Sequence, residues 1–342
     1  MGGERQKRYM GKITIIDSSL RDGQHFARHQ ITEKQITNYL QRAEKARIPI
    51  CVVGHGNGLG ASSLHLGESL LSDRRMLHIA RRVVRSTRLG AFAIPGFATL
   101  KDIDMAISEG VDVMFVASHC SEATATKQYI EYCVSKGIET YGVLMMSHML
   151  GWEGLSKQAG LMKDYGAKAI LFMDSAGALL PEDVSDRINT NPDLTLGFHP
   201  HNNLGLAVAN AIAAVEAGAT IIDGCTRGLG AGAGNVPLEV LVPVLHKMGY
   251  ETGIDVDKLM DCAEYIKSQF PPQDITPLSI TSGLNGVFSG FRPLVEKASK
   301  KYKVNPHKIF KELGKQKVVA GQEDKILEVA KGLQTHPIEA LS

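Results

Sequence analysis

The stretch Gly197-Phe198-His199-Pro200-His201-Asn202-Asn203 carries two histidines at i and i+2. On an extended strand such residues share a face, because side chains alternate with period two. Two imidazoles on one face at a strand's end can bind one divalent metal, and they lack only an oxygen ligand. Asp22, in Leu20-Arg21-Asp22-Gly23-Gln24-His25, is the candidate for it. For an isolated His-x-His the plainer reading has the better odds: strand-end polar groups held by hydrogen bonds. Here the surroundings turn those odds.

Two histidines and one aspartate leave about half an octahedron open, which suits a metal that must chelate an oxygen-rich substrate. Imidazole and carboxylate without thiolate favour Mn²⁺, Mg²⁺ or a similar ion over structural zinc. A 2-oxo acid can chelate such an ion through a carboxylate oxygen and its keto oxygen. The ion then acts as a Lewis acid toward the enolate left when a C–C bond breaks. Arg21 stands beside Asp22 and can donate to the developing enolate oxygen; its alternative is a structural ion pair. His25 can take or return a proton near neutral pH, or it is a mouth histidine satisfied by water. Asn235 ends the small-residue loop Gly228-Leu229-Gly230-Ala231-Gly232-Ala233-Gly234-Asn235. It offers a further oxygen ligand or marks a turn. His29 is assigned no role.

These residues must be positioned by the elements that precede them. Short β-branched or apolar runs occur at 13–17, 48–53, 89–94, 111–117, 139–145, 167–173, 194–199 and 219–223. Helix-like stretches follow at 32–46, 100–109, 122–136, 152–165, 181–189, 204–217 and 236–248. Thr32 with Gln35 three residues on is a capping signal for the first of them. Such alternation implies parallel strands with helical crossovers, and eight units in ~250 residues is the size of a (β/α)8 TIM barrel. An open doubly wound sheet is the competitor, but no Gly-x-Gly-x-x-Gly opens the first helix. The glycines of 54–60 precede no Lys-Ser/Thr, so they read as a loop lining the barrel mouth. His55, His119, Ser147, His148, Asp174 and Ser175 also fall just after strands, where barrel active sites are built.

From about residue 252 the pattern changes. A helix spans 255–268, Pro271-Pro272 break it, and 276–342 read as helical segments. The expected division is a leader (1–11), a catalytic barrel (12–275) and a C-terminal helical extension (276–342).

Composition narrows the classes. The chain has 342 residues, 44% of them hydrophobic, so a large core can be buried. The formal net charge of +2 gives no electrostatic case for nucleic acid or an anionic membrane. No apolar run is long enough to span a bilayer, and residues 1–8 lack the apolar segment of a signal peptide. The five cysteines are scattered and read as buried apolar thiols of a reducing compartment. A soluble cytoplasmic protein is the expectation. The basic run Lys297-Ala298-Ser299-Lys300-Lys301-Tyr302-Lys303 reads as a solvated helix face.

Taken together, Asp17-Ser18-Ser19-Leu20-Arg21-Asp22-Gly23, His199-Pro200-His201 and the 228–235 loop resemble the metal-dependent lyases and condensing enzymes that include HMG-CoA lyase and isopropylmalate synthase. The closer resemblance is to the 4-hydroxy-2-oxovalerate aldolases, pyruvate aldolases of aromatic meta-cleavage pathways. It is carried by Arg21–His25 with Arg28-His29-Gln30, by Leu144-Met145-Met146-Ser147-His148-Met149, and by Gly321-Gln322-Glu323-Asp324. The resemblance implies a divalent-metal lyase (Mn²⁺ foremost, Mg²⁺ or Co²⁺ as options) that cleaves or forms a 4-hydroxy-2-oxo acid such as 4-hydroxy-2-oxopentanoate. The products are pyruvate, by way of its enolate, and an aldehyde such as acetaldehyde. Asp22, His199 and His201 match the metal ligands, and His199 also borders the substrate. Arg21 matches the enolate-stabilising arginine, His25 the base and Ser175 a substrate-pocket serine. An oligomer is implied, as is an acylating acetaldehyde dehydrogenase that receives the aldehyde at the C-terminal helices.

Three positions depart from the family pattern. Phe288 stands where a tyrosine is usual, so no hydroxyl there can meet the substrate's 4-hydroxyl. Asn202 replaces a histidine, and Ser19 replaces a threonine while keeping the hydroxyl. The aldehyde-facing side is thus altered while the enolate machinery is intact. This leaves room for a Claisen-type enzyme joining a 2-oxo acid to an acyl-CoA. A non-catalytic paralogue scaffolding a dehydrogenase is the reading from outside enzymes; Arg21, Asp22, His25, His199 and His201 together argue against it.

Overall fold

The computed structural model describes residues 10–189 and 193–335. Eight parallel strands close a barrel in sequence order. They are β1 (Thr14–Leu20), β2 (Ile50–Val53), β3 (Arg88–Ala93), β4 (Val113–His119), β5 (Glu139–Met145), β6 (Ala169–Asp174), β7 (Leu196–Pro200) and β8 (Ile221–Gly224). The helices that follow them are α1 (Glu33–Lys45), α2 (Asp73–Val83), α3 (Leu100–Ser108), α4 (Lys127–Ser135), α5 (Trp152–Asp164), α6 (Pro181–Asn189), α7 (Ala207–Glu216) and α8 (Leu238–Met248). The expected TIM barrel is therefore present.

The strands read as apolar runs because both of their faces are buried. Ile16, Val52, Phe92, Phe115, Val143, Leu171 and Met173 fill the barrel. Their neighbours Ile15, Cys51, Val53, Met114, Leu144 and Phe172 pack outward under the helices. The Thr32 capping box forms as expected: Gln35 N donates to Thr32 Oγ1 at 3.3 Å, and Thr32 N to Gln35 Oε1 at 2.9 Å.

Two local outcomes differ from the sequence reading. Helix α2 was not expected in the stretch after the second strand. Ser72 caps it, and Met76, Leu77, Ile79 and Ala80 are buried. Arg74, Arg75, His78, Arg81 and Arg82 fill its outward-facing positions. Strand β1 also runs on past Asp17, through Ser18 and Ser19, to Leu20. Asp17 and Ser19 stay buried because they are bonded, while the Ser18 hydroxyl is buried without a partner. Asp17 accepts from Ser19 N at 2.9 Å and from the Tyr39 hydroxyl at 2.5 Å, and the Tyr39 hydroxyl also lies 2.6 Å from Thr226 Oγ1. Burial pushes the Asp17 carboxyl up to about 6, against the pull of these bonds.

Beyond the barrel lie α9 (Val256–Gln269), α10 (Pro277–Leu284), α11 (Arg292–Tyr302), α12 (Pro306–Lys315) and α13 (Asp324–Thr335). The last four surround a second core of Val287, Phe291, Val295, Ile309, Phe310, Leu313 and Ile326. Lys297, Lys300, Lys301 and Lys303 are exposed while Ala298 is buried. Gly11, the last residue of the expected leader, and Lys12 pair in parallel with Tyr250–Glu251. The rest of that leader and residues 336–342 lie outside the described residues, apart from Met10. All five cysteines are free and buried. Among the described residues no helix is long and apolar enough to cross a membrane.

One surface contact ties α1 to the turn before β3. Glu44 accepts from Arg85 N at 3.1 Å, Ser86 N at 2.7 Å, Ser86 Oγ at 2.6 Å and Thr87 N at 3.0 Å. Burial works against the charge, but these bonds hold the carboxyl down to about 2 from 4.5. A carboxyl depressed on folding adds stability above its unfolded value and loses it as pH falls through the folded value. The unfolding free-energy gap between wild type and Glu44→Gln is therefore expected to narrow as pH falls from 4.5 toward about 2. A gap that stays constant over that window, measured by urea titration, contradicts this.

Candidate active site and metal centre

Two strand ends supply the candidate ligands. Strand β1 delivers Arg21 and Asp22, and the single helical turn Gly23–Phe26 carries His25. Strand β7 carries His199, and His201 follows it in a bridge with Asn235. Asp22, His199 and His201 are all buried, and each offers one ligand atom within 4.8 Å of the others.

The donor set fits a divalent ion. His199 Nδ1 lies 2.7 Å from Asp223 Oδ2, which fixes the ring and leaves Nε2 buried without a partner. His201 Nδ1 is also buried and unpartnered. Buried polar atoms left open in this way are costly unless something occupies them. Burial pushes His201 down to about 4 against the pull of Asp22, so the ring is neutral and free to ligate at neutral pH. Burial would raise the Asp22 carboxyl, but the Arg21 guanidinium and the His201, His25 and His199 rings hold it well below the usual carboxylate range.

Asp22 is also aimed. Its Oδ1 accepts from Arg21 Nη1 at 2.9 Å, and its Oδ2 from Asn235 Nδ2 at 2.5 Å and Ala231 N at 3.3 Å. Asn235 therefore spends its amide on Asp22 and on the Leu229 carbonyl, 2.9 Å away, with Oδ1 unpartnered. A Cβ at Gly230 would overlap Asp22 Oδ2 and Asn235 Nδ2, so the loop must be glycine there.

The Arg21 guanidinium sits 4.6 Å over the Phe92 ring and 3.9 Å from Asp223 Oδ2. Its Nε and Nη2 are buried without hydrogen-bond partners. His25 Nε2 lies 4.0 Å from Asp22 Oδ1. Burial lowers the His25 pKa and Asp22 opposes the shift, so a neutral imidazole is favoured. Gly56 packs under that ring, where a Cβ would lie 2.6 Å from Nε2. The glycine-rich loop after β2 thus borders the site.

Ser175, at the end of β6, is fully buried, and its Oγ accepts from Met146 N at 3.0 Å. Phe288 is half-buried and packs edge-on to Phe291 at 5.4 Å. With His25, His29, Gly230 and Ala231 it lines a cavity of about 770 Å³ that runs from the barrel mouth to Arg292 and Glu323 of the helical extension.

Several contributors escaped the sequence reading. Asp223 is a single acid at the end of β8, and only the fold shows that it faces His199. His29 stacks on His55 at 3.8 Å and meets His25 edge-on at 5.3 Å. Asn57 N donates to His55 Nδ1 at 3.0 Å, so His55 Nε2 carries the proton and faces Gly67 O at 3.0 Å. The i, i+4 spacing of His25 and His29 was the available signal.

The closed parallel barrel is of the HMGL-like class: residues 12–266 match the HMGL-like family model. Residues 273–335 match the DmpG-like communication domain. A 4-hydroxy-2-oxovalerate aldolase of Pectobacterium atrosepticum is 51% identical over 94% of this chain and 96% of its own length. One of Spirochaeta aurantia is 48% identical over the same shares of the two chains. The chain belongs to the 4-hydroxy-2-oxovalerate aldolase family. Among solved structures it is similar to an HMG-CoA lyase from Brucella melitensis, with TM-score 0.66 and 18% identity over 77% of this chain and all of that one. It is also similar to the carboxyl transferase domain of Rhizobium etli pyruvate carboxylase with pyruvate, with TM-score 0.82 and 14% identity over 97% of this chain and 61% of that one. At those identities the likeness is one of fold.

Proposed function

We propose that this protein is a divalent-metal-dependent carbon–carbon lyase that cleaves or forms a 4-hydroxy-2-oxo acid such as 4-hydroxy-2-oxopentanoate. One observation carries the reading: unpartnered imidazole nitrogens of His199 and His201 face the Asp22 site beside two unpartnered Arg21 donors, all buried. Asp22, His199 and His201 would hold the ion, Mn²⁺ foremost, which when bound supplies Lewis acidity to a 2-oxo acid. Arg21 offers Nε and Nη2 to the C2 oxygen of the substrate, where negative charge develops. His25 takes the 4-hydroxyl proton as the C3–C4 bond breaks. The released electron pair passes to the C2 oxygen and leaves the pyruvate enolate with the free aldehyde. Return of the proton to C3 gives pyruvate. Ser175, the candidate substrate-pocket serine, accepts from Met146 N through its Oγ.

The barrel, residues 12–275, is the catalytic unit in this reading. Residues 276–342 form the contact for an acylating acetaldehyde dehydrogenase, as the communication-domain match supports. The setting is a cytoplasmic oligomer in aromatic catabolism, without nucleic acid or membrane. Pyruvate release from a panel of racemic 4-hydroxy-2-oxo acids with added Mn²⁺ tests the activity. Turnover that requires an acyl-CoA would favour the Claisen-type alternative, and a protein that binds no divalent ion would favour the scaffold.

Phe288 bears on selectivity. Its ring lines the same cavity as His25, without a hydroxyl to bond the 4-hydroxyl group. One net hydrogen bond is worth about 0.5–1.5 kcal/mol, so its loss spares catalysis but relaxes discrimination between 4-hydroxy enantiomers. Weak selectivity is expected in the wild type, and a gain of roughly two- to tenfold in Phe288→Tyr. Equal kcat/KM ratios in the two proteins would place selectivity elsewhere.

A further inference from the structure

The segment that carries Phe288 belongs to the helical extension, and Phe288 packs against that unit's own core. Where its ring sits over the barrel is set by the ties that cross between the two units. One residue after Phe288, Ser289 N donates to Ser175 O at 2.9 Å, and Ser289 Oγ donates to Asn203 Oδ1 at 3.2 Å. Two residues before it, His148 Nε2 lies 3.0 Å from Gly286 O. The carbonyl only accepts, so Nε2 carries the proton and donates.

The His148 side of this tie is braced. Met146, which is buried, adopts a left-handed conformation with φ 56 and starts the turn Ser147–Met149. Met146 N is bonded to Ser175 Oγ at 3.0 Å, Ser147 Oγ to Met173 O at 3.0 Å, and Arg187 Nη2 to Leu150 O at 3.2 Å. On the ring's other edge, Nδ1 faces Asp174 Oδ1 at 3.8 Å. Asp174 is itself anchored by Ala178 N and Leu179 N, both at 3.0 Å. The Gly286 side is braced too: its φ is +61, Val287 N bonds Ser282 O at 3.0 Å, and Ser282 Oγ bonds Val287 O at 2.9 Å.

We infer that His148 is a positioning residue that holds the 286–291 segment against the barrel and so sets Phe288 where the aldehyde fragment meets His25. It acts through Gly286 and not by touching the enolate machinery, so it tunes the aldehyde side of the reaction alone. The inference rests on the aldolase reading given above.

The test compares wild type, His148→Ala and His148→Gln, whose amide can still reach the Gly286 carbonyl. In His148→Ala, amide hydrogen exchange is expected to quicken over 286–291 and not in the barrel strands. In the condensation direction the aldehyde KM should rise about threefold to tenfold, the worth of one hydrogen bond. The pyruvate KM and deuterium exchange into the pyruvate methyl group should be unaltered, and His148→Gln should restore most of the effect. If His148→Ala does not fold, Gly286→Ala crowds the same contact, with a Cβ 3.2 Å from His148 Nε2, and should raise the same KM. Unchanged amide exchange over 286–291 overturns the tie, and an equal rise in both KM values overturns the aldehyde-side role. A wild type that condenses nothing overturns the aldolase reading instead; amide exchange, which needs no turnover, still decides whether His148 holds the segment.

Discussion

His199→Ala is expected to abolish activation by divalent ions while the barrel remains folded. The expectation follows from how the ring is held. Its Nδ1 is anchored on Asp223 at 2.7 Å, and its Nε2 has no other partner. Removing the ring deletes a ligand and leaves the remaining two too few to fix an ion against water. Loss of a residue that only orients a ligand commonly costs about 10- to 100-fold in affinity or activity. Asp223→Ala should fall in that range, and His199→Ala should exceed it. Asp22→Ala should be as inactive but less stable. It strips the acceptor from Arg21 Nη1 and Asn235 Nδ2, and each buried donor left open costs about 1–3 kcal/mol. Asp22→Asn, which keeps the volume, separates the two effects. Bound metal by elemental analysis and pyruvate release against Mn²⁺ concentration are the readouts. Full activity in His199→Ala with metal still bound would remove the centre from the account.

His25→Ala should lower turnover by a factor on the order of 10² to 10⁴, the usual worth of a positioned acid–base group. The pH dependence has a definite sign. Burial depresses the His25 pKa below its ordinary 6.5, so the neutral base persists to lower pH than an exposed histidine would allow. The acid limb of kcat/KM in the wild type should therefore lie below 6.5, and the mutant should lack it. A mutant with the wild-type profile would assign the proton transfer to another group. His29, edge-on to His25, is the nearest alternative imidazole.

The barrel was legible because its strands are short, doubly buried and evenly separated by amphipathic helices. Helix α2 was not, since it follows a long loop and five basic side chains crowd its outer face. Strand β1 was cut short for a related reason. Ser18 and Ser19 read as loop, and only Tyr39 and Thr226, from elsewhere in the chain, make the pair of Asp17 and Ser19 tolerable inside. The cluster of Asp22, His199 and His201 was legible because His199 and His201 lie at and just past the end of one strand and Asp22 follows another in a recognisable motif. Asp223 was not, and His55 and His148 were placed at the barrel mouth without a role, because each acts through a partner remote in sequence. Local pattern reports which face a residue occupies, but not what lies opposite it.

The central claim is that Asp22, His199 and His201 hold an ion beside Arg21 so that pyruvate can be carried as its enolate. It is tested most directly by following deuterium incorporation into the methyl group of pyruvate in D₂O by mass spectrometry, with no aldehyde present. The expected result is exchange that requires a divalent ion, stops on chelation, fails in His199→Ala and survives in Phe288→Tyr. Exchange no faster than in buffer, with the metal bound, would contradict the account, as would exchange equally fast after chelation.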